Sequence, residues 1–417
     1  MLYISNMKRK KCRSCSNRNL KAAFDMGSQK LSGIFPNNKT QKNVPEGSLA
    51  MVFCDNCKLL QLENSFDANT MYGNNYGYMS ALNNSMIQHL KKKAFNLKKI
   101  TNLIQGDLVL DIGSNDGTFL SFFSNKFNLI GIDPTIKKLG ALYRKDINKF
   151  PNFFTKELIT RNFSKKVKLI TSISMFYDLE DTIKFAEDIY DILDENGLWH
   201  LEQSYMPMML KNNSYDTICH EHLEYYSFAA INYILARAGM RLIDATLNSV
   251  NGGSMAIFAV KSNSAYQLSE RAKNLLAAES EAALEDPETY NSFIQRCDDN
   301  GQALLSKLDE LKSAGKYVAG YGASTKGNVL LQYLKLDETD LPFILEINEE
   351  KRGHVTPGSN IPIKLEDEVD LSAIDYLVVL PWHFRDGIIE KEKAFLESGG
   401  KFIFPLPTIE IYPAKTP

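Results

Sequence analysis

The chain has 417 residues, about three domains at ~150 residues each, and 44% hydrophobic with 24% charged residues exclude disorder and collagen. Its 48 Lys+Arg against 50 Asp+Glu leave a formal charge of -2, so no global field draws it to nucleic acid or an anionic membrane. No run reaches the ~18 apolar residues of a membrane span and MLYISNMKRKKC lacks the apolar stretch of a signal peptide; a cytoplasmic protein is expected.

Residues 1-75 are rich in Asn, Gly, Lys and Ser and poor in periodic apolar stretches, so they could hardly build an apolar core alone. Four of the six cysteines lie here as two Cys-x-x-Cys pairs, Cys12/Cys15 and Cys54/Cys57. Four thiolates so spaced suit a closed tetrahedral zinc site, with no position left for a substrate. A structural Zn2+ is expected; a pair of redox dithiols is the competing reading.

From 80 to 100 the apolar residues recur at helical spacing beside a basic face, and a helix joining two domains is expected. Residues 107 to 260 alternate short apolar runs with helical stretches, as in a doubly wound α/β sheet. DLVLDI, NLIGID, KLITSISMF and GLWHLEQ read as strands, and RLIDATLNSVNGGSMAIFAV as a hairpin around Asn251-Gly252-Gly253. Such a hairpin would add an antiparallel edge strand. Residues 261-313 read as a helical connector. The rest, 314-417, reads as a second α/β unit opening with Gly320-Tyr321-Gly322-Ala323-Ser324-Thr325-Lys326.

The first glycine turn runs Asp111-Ile112-Gly113-Ser114-Asn115-Asp116-Gly117. Its middle position is Asn115, which departs from the G-x-G-x-x-G dinucleotide fingerprint. Asp133 ends the next strand in Gly131-Ile132-Asp133-Pro134, placed to accept from a ribose diol. These residues resemble the S-adenosylmethionine-dependent class I methyltransferases. The resemblance implies a Rossmann-like sheet, with Asp111, Gly113, Asn115, Gly117 and Asp133 at the cofactor.

The segment Tyr215 to Tyr226, YDTICHEHLEYY, holds two of only six histidines among acids and phenols. A histidine can take and return a proton near neutral pH, and a nearby carboxylate can orient it. His220 and His222 are two residues apart and do not share a helix face, which disfavours a metal pair; a surface loop is the bland alternative.

Zinc knuckles, a methyltransferase unit, the HEH segment and GYGASTKGN together resemble the nucleotide-sugar C-methyltransferases, which methylate carbon beside a ketone of a deoxysugar. The resemblance covers nearly the whole chain and implies that His222 removes the α-proton, the resulting enolate attacking the cofactor's methyl group. It places His220, Glu221, Tyr76 and Tyr78 beside that base, and Tyr225, Tyr226, Glu202 and Lys326 toward a nucleotide-linked keto-deoxysugar, Lys326 on a phosphate. Cys219 stands where an aromatic hydroxyl occurs in some members, so if a phenol steadies the enolate, Tyr225, Tyr226 or the Tyr76 region must provide it, or the substrate differs. The alternatives are methylation of oxygen or nitrogen of a sugar or other small molecule, an NAD(P)-dependent sugar-nucleotide oxidoreductase, and a non-catalytic zinc adaptor. A monomer or weak homodimer is expected.

Overall fold

A computed structural model of the chain describes residues 7–37, 43–66, 71 and 78–414. Near the N-terminus come strands β1 (Met7–Lys8), β2 (Leu20–Lys30), β3 (Glu46–Cys54), β4 (Leu60–Leu62) and β5 (Asn64–Ser65). β2, β3 and β4 form an antiparallel sheet. Its apolar side does not close on itself. Leu49, Met51, Phe53 and Leu62 join one core with Phe293 and Leu330 of the C-terminal half, so the poverty of apolar residues before position 75 is offset by a core borrowed from over 200 residues away.

Helix α1 (Asn84–Thr101) begins at Asn83, whose side chain accepts from Ser85 N and satisfies an end donor. It is not a free joint between domains. Met86, Leu90, Ala94 and Leu97, spaced at three and four residues, pack with Val109, Leu129 and Leu198 on one face of the central sheet.

That sheet contains β6 (Leu108–Ile112), β7 (Asn128–Ile132), β8 (Asn148–Phe150), β9 (Val167–Ile173), β10 (Leu193–Ser204), β12 (Met240–Asn248) and β13 (Ser254–Lys261), in the order β12-β13-β10-β9-β6-β7-β8. β13 runs antiparallel to both β10 and β12. The expected antiparallel edge strand is therefore corrected: the antiparallel strand is second from the edge. A crossover helix lays β12 one place out, and the hairpin returns β13 into the gap. The turn uses left-handed backbone at Asn251 (φ 57) and Gly252 (φ 87). With the other strands parallel, this is the seven-stranded Rossmann-like sheet that the resemblance implied.

Between β10 and β12 the chain forms a two-residue strand, β11 (Glu224–Tyr225), which leaves the central sheet and pairs with β4. The N-terminal sheet is thereby β11-β4-β3-β2. Helix α2 (Thr118–Ser121) follows β6, and α3 (Phe228–Arg237) follows β11. The connector is helical as expected, in α4 (Glu270–Ser280) and α5 (Pro287–Ser313).

The C-terminal sheet comprises β14 (Val318–Tyr321), β15 (Ile344–Glu346), β16 (Ile363–Leu365), β17 (Tyr376–Val379), β18 (Lys401–Phe404) and β19 (Glu410–Tyr412), ordered β16-β15-β14-β17-β18-β19. All but β19 are parallel. The strand order reverses between β14 and β17, the crevice where open α/β sheets receive ligands. Helix α6 (Thr325–Tyr333) leaves β14 there. No helix among the described residues is long and apolar enough to cross a membrane.

Candidate functional site

The four cysteines of the two knuckles converge. Both knuckles turn the same way, the residue after each second cysteine being left-handed at Ser16 (φ 60) and Lys58 (φ 62). Cys12 and Cys57 sulfurs lie 3.4 Å apart and Cys15 and Cys54 sulfurs 3.5 Å apart, with all four within 4.8 Å of one another. A tetrahedron with Zn–S bonds of ~2.3 Å has edges of about 3.8 Å, so the set fits one zinc ion. None of the four is in a disulfide.

At the first glycine turn, the buried Asp111 accepts from Thr171 Oγ1 at 2.6 Å, and burial raises its carboxyl to about 7. Gly113 (φ 76) and Gly117 (φ 78) are left-handed, and a Cβ on Gly113 would come 2.8 Å from Met175 Cγ. Asn115 N donates to Asp133 Oδ2 at 2.9 Å, while Thr135 N and Oγ1 donate to Oδ1 at 2.7 and 2.6 Å. A carboxylate accepts about four hydrogen bonds, so Asp133 keeps one position for a hydroxyl. That capacity, at a left-handed glycine turn against which Met175 and Tyr143 pack, fits the ribose of S-adenosylmethionine. Tyr78 lies over the same turn, its carbonyl accepting from Asn115 Nδ2 at 3.1 Å. Tyr76 lies outside the described residues.

The HEH segment is held from three sides. Leu223 N donates to Tyr177 O at 2.8 Å, Leu62 N donates to Leu223 O at 2.9 Å, and β11 follows immediately. His222 Nδ1 lies 2.8 Å from Thr217 O. A carbonyl only accepts, so Nδ1 carries the proton and Nε2 the lone pair. The ring packs against Tyr177, centroids 4.1 Å apart. Burial, and then the Lys326 cation, hold the imidazole down to about 4. Tyr225 donates to the same Thr217 carbonyl at 3.4 Å. Glu221 is buried against Ser32 and Gly33, and burial raises its carboxyl.

Of the other expected site residues, His220, Tyr226 and Glu202 are engaged elsewhere. His220 faces the N-terminal sheet, its Nε2 donating to Gly47 O at 3.1 Å and its ring edge on Phe66. Tyr226 donates to Glu224 Oε2 at 2.6 Å and stacks on Phe176 in the core. Glu202 is taken up within the chain: Oε1 meets His89 at 2.6 Å, and Oε2 meets Lys93 at 2.7 Å and Asn248 at 2.8 Å. Those partners hold its carboxyl down to about 2 against the opposing effect of burial. Glu202 therefore ties α1 to β10, and its carboxylate is already neutralised where a sugar hydroxyl was expected. Lys326 is not poised over the turn that precedes α6. Ser324 caps that helix by accepting from Gly327 N at 3.0 Å, and Lys326 Nζ reaches across to Asn251 O at 2.7 Å.

Sequence reasoning missed Tyr177, and it left Asp216, Asn251, Trp382 and His383 without a role. Asp216 accepts from Trp382 Nε1 at 2.8 Å, and burial depresses His383, as does the Lys326 cation. The signal for Tyr177 was its place just past β9, at the carboxyl edge where ligands lie in such sheets.

Comparison with known proteins assigns each part. Residues 12–72 match a zinc binding domain family, 84–245 a methyltransferase domain family, and 249–407 a C-methyltransferase C-terminal domain family. The chain is 29% identical over 411 residues to C-methyltransferase NovU of Streptomyces niveus, spanning 97% of both chains. Among solved structures, an S-adenosylmethionine-dependent methyltransferase from Clostridium acetobutylicum aligns with TM-score 0.34 at 13% identity, over 42% of this chain and 92% of its own. The magnesium protoporphyrin IX methyltransferase of Synechocystis, solved with bound SAH, aligns with TM-score 0.34 at 14% identity, over 46% of this chain and 91% of its own.

Proposed function

We propose that this chain, an S-adenosylmethionine-dependent C-methyltransferase with a zinc-binding domain, a methyltransferase domain and a C-methyltransferase C-terminal domain, methylates the carbon next to the ketone of a nucleotide-linked keto-deoxysugar. One observation carries this reading. Met175 lies against Gly113, and Tyr177, two residues on, packs against His222. The turn after β9 is thus a common wall of the cofactor site and of a histidine whose Nε2 is unengaged among the described residues. We take the division as 1-75 zinc-binding, 76-260 methyltransferase, 261-313 connector and 314-417 C-terminal α/β; the end of β13 at Lys261 and the start of β14 at Val318 support it.

Asp111, Gly113, Asn115, Gly117 and Asp133 would hold S-adenosylmethionine, which would supply a methyl group on a positively charged sulfur. The protein's task is to make the carbon nucleophile that takes it. A C–H bond on ordinary carbon is far too weakly acidic for imidazole, so the carbon must flank a ketone. His222 Nε2 then accepts the α-proton. Thr217 O, already bonded to Nδ1–H, holds the ring in the productive tautomer and steadies the imidazolium that forms. Tyr177 fixes the ring plane. Glu221, Tyr78 and Tyr225 are the neighbours proposed to line the acceptor.

The test is incubation of the zinc-loaded protein with S-adenosylmethionine and a series of keto-deoxysugar nucleotides, read by mass. A gain of one methyl group that survives mild acid and base, on carbon by NMR, is expected; methyl found on oxygen or nitrogen would overturn the proposal.

The buried imidazole also sets the pH dependence. His222 acts as base only when neutral, and its folded-state value lies near 4, below the ordinary histidine value of about 6.5. The rate of α-proton exchange should therefore stay level from neutral pH down to about 5, falling only as pH drops through about 4. An acid limb centred near 6.5 would contradict this environment for His222.

A further inference from the structure

The ketone oxygen gathers negative charge as the α-proton leaves, and some group must hold it. The residues nearest the base offer few donors. Cys219 is a buried thiol whose ionisation burial pushes up, and a thiol is a weak donor. The Tyr225 hydroxyl is given to Thr217 O and that of Tyr226 to Glu224. Tyr177 presents its ring to His222.

Lys326 is different. It enters from the C-terminal unit, at the first turn of α6 and beside the crevice between β14 and β17. Its Nζ donates to Asn251 O in the β12–β13 hairpin at 2.7 Å. An ammonium has three N–H donors, and the other two have no acceptor among the described residues. Asn251 Nδ2 in turn meets Ser174 Oγ at 3.4 Å, in the turn that carries Met175 and Tyr177. A chain of contacts thus leads from Lys326 to the wall of the His222 site. The titratable groups that feel its charge are Asp216, Cys219, His222 and His383. Burial lowers the Lys326 ammonium, the nearby Asp216 offsets that in part, and burial raises Asp216 itself, whose Oδ2 accepts from Trp382 Nε1.

Resting on the function proposed above, we propose that Lys326 donates an N–H to the ketone oxygen of the acceptor while His222 Nε2 takes the α-proton. The α C–H bond breaks and its proton goes to Nε2. The C–H electron pair becomes the carbon–carbon double bond, and the C=O π pair moves to oxygen, where Lys326 meets it. Before substrate enters, the ammonium disfavours protonation of His222 and keeps the base in its working form. After proton transfer the oxyanion lies between two cations, so a weakly basic imidazole can perform the step. The crossing from one domain to another explains why a lysine of the C-terminal unit belongs to the methyl-transfer site.

The step needs no methyl donor, and that isolates it. The full-length zinc-loaded protein is placed in D2O with each of a series of nucleoside-diphosphate-linked keto-deoxyhexoses and without S-adenosylmethionine, and deuterium entry at the α-carbon is followed by mass. Lys326→Met should slow exchange by about 100-fold, with cofactor affinity unchanged and the acid limb of the profile moved upward. Lys326→Arg, which keeps a cationic donor, should recover part of the rate, as should added propylammonium with the Met variant. If Lys326→Met fails to fold, Lys326→Gln provides the same comparison. A wild-type protein that exchanges while the Met or Gln variant matches it overturns the role of Lys326 alone. So does an equal loss in the Met and Arg variants with the acid limb unmoved, since that marks a docking contact only. A wild-type protein that exchanges no proton from any keto-deoxyhexose nucleotide overturns the proposed function and this role together.

Discussion

Replacing His222 with Asn should lower α-proton exchange and methyl transfer by about 1,000-fold, within the range a positioned general base contributes, while S-adenosylmethionine still binds. The substitution is selective for a geometric reason. An asparagine amide can still donate to Thr217 O, as Nδ1 does at 2.8 Å, so the Cys219–Leu223 turn keeps its anchor. What disappears is the Nε2 lone pair. The cofactor turn, built on β6 and β7 around Gly113, Asn115 and Asp133, is linked to His222 among the described residues through the loop after β9, so its affinity should hold. Deuterium exchange in D2O and cofactor titration calorimetry check the two halves separately, and undiminished exchange would remove His222 from the chemistry. His220→Asn makes the contrast. Its ring is buried in the N-terminal sheet contact, with Nε2 on Gly47 O, so this change should lower the melting temperature while the folded fraction keeps its rate.

Removing the zinc should have the other large effect, though the metal meets no substrate. Cys54 ends β3 and Cys57 precedes β4. β4 pairs with β11 at Gln61↔Glu224 and Leu60↔Tyr225, two and three residues after His222. A structural zinc site contributes folding free energy directly, on the order of 10 kcal/mol in isolated zinc peptides. Here part of that is shared with the common core, so the expected result is local loss of the β11-β4-β3-β2 sheet with the central sheet retained. Chelation, or Cys54→Ser, should reduce turnover at least tenfold and leave cofactor binding to the central domain nearly intact. Zinc content by mass spectrometry, set against turnover and the far-ultraviolet dichroism, checks this. Full turnover at zero zinc would separate the metal from the HEH segment.

The elements legible from sequence were those whose signal is local. The cysteine knuckles, the Asp111–Gly117 turn, the β12–β13 hairpin and α1 each announce themselves within one short stretch of chain. β2 did not, because register shifts between Ala22 and Phe24 and between Asp25 and Ser28 break its alternation. The surroundings of His222 were hidden for another reason. Thr217 is near in sequence, but Gly33, Tyr177 and Lys326 reach the HEH segment only through tertiary packing, which no spacing rule encodes. Lys326 shows the difference most clearly. Its motif is a helix start, which suggests a phosphate, whereas its side chain is claimed by a hairpin 75 positions earlier. Glu202 shows the converse, an acid at a strand end that reads as a ligand until its partners on α1 are seen.

The pairing of β11 with β4 bears on how such a protein could be recombined. Cutting the chain where the amino-acid composition changes, near residue 75, would leave Glu224 and Tyr225 without the strand they hydrogen-bond to. It would also leave the apolar side of the C-terminal unit without Leu49, Met51 and Phe53. A chimaera that exchanges only the metal-binding segment with that of a distant relative must therefore import a matching β11 and a matching hydrophobic seam. The unit of exchange is larger than the domain that a linear map would draw.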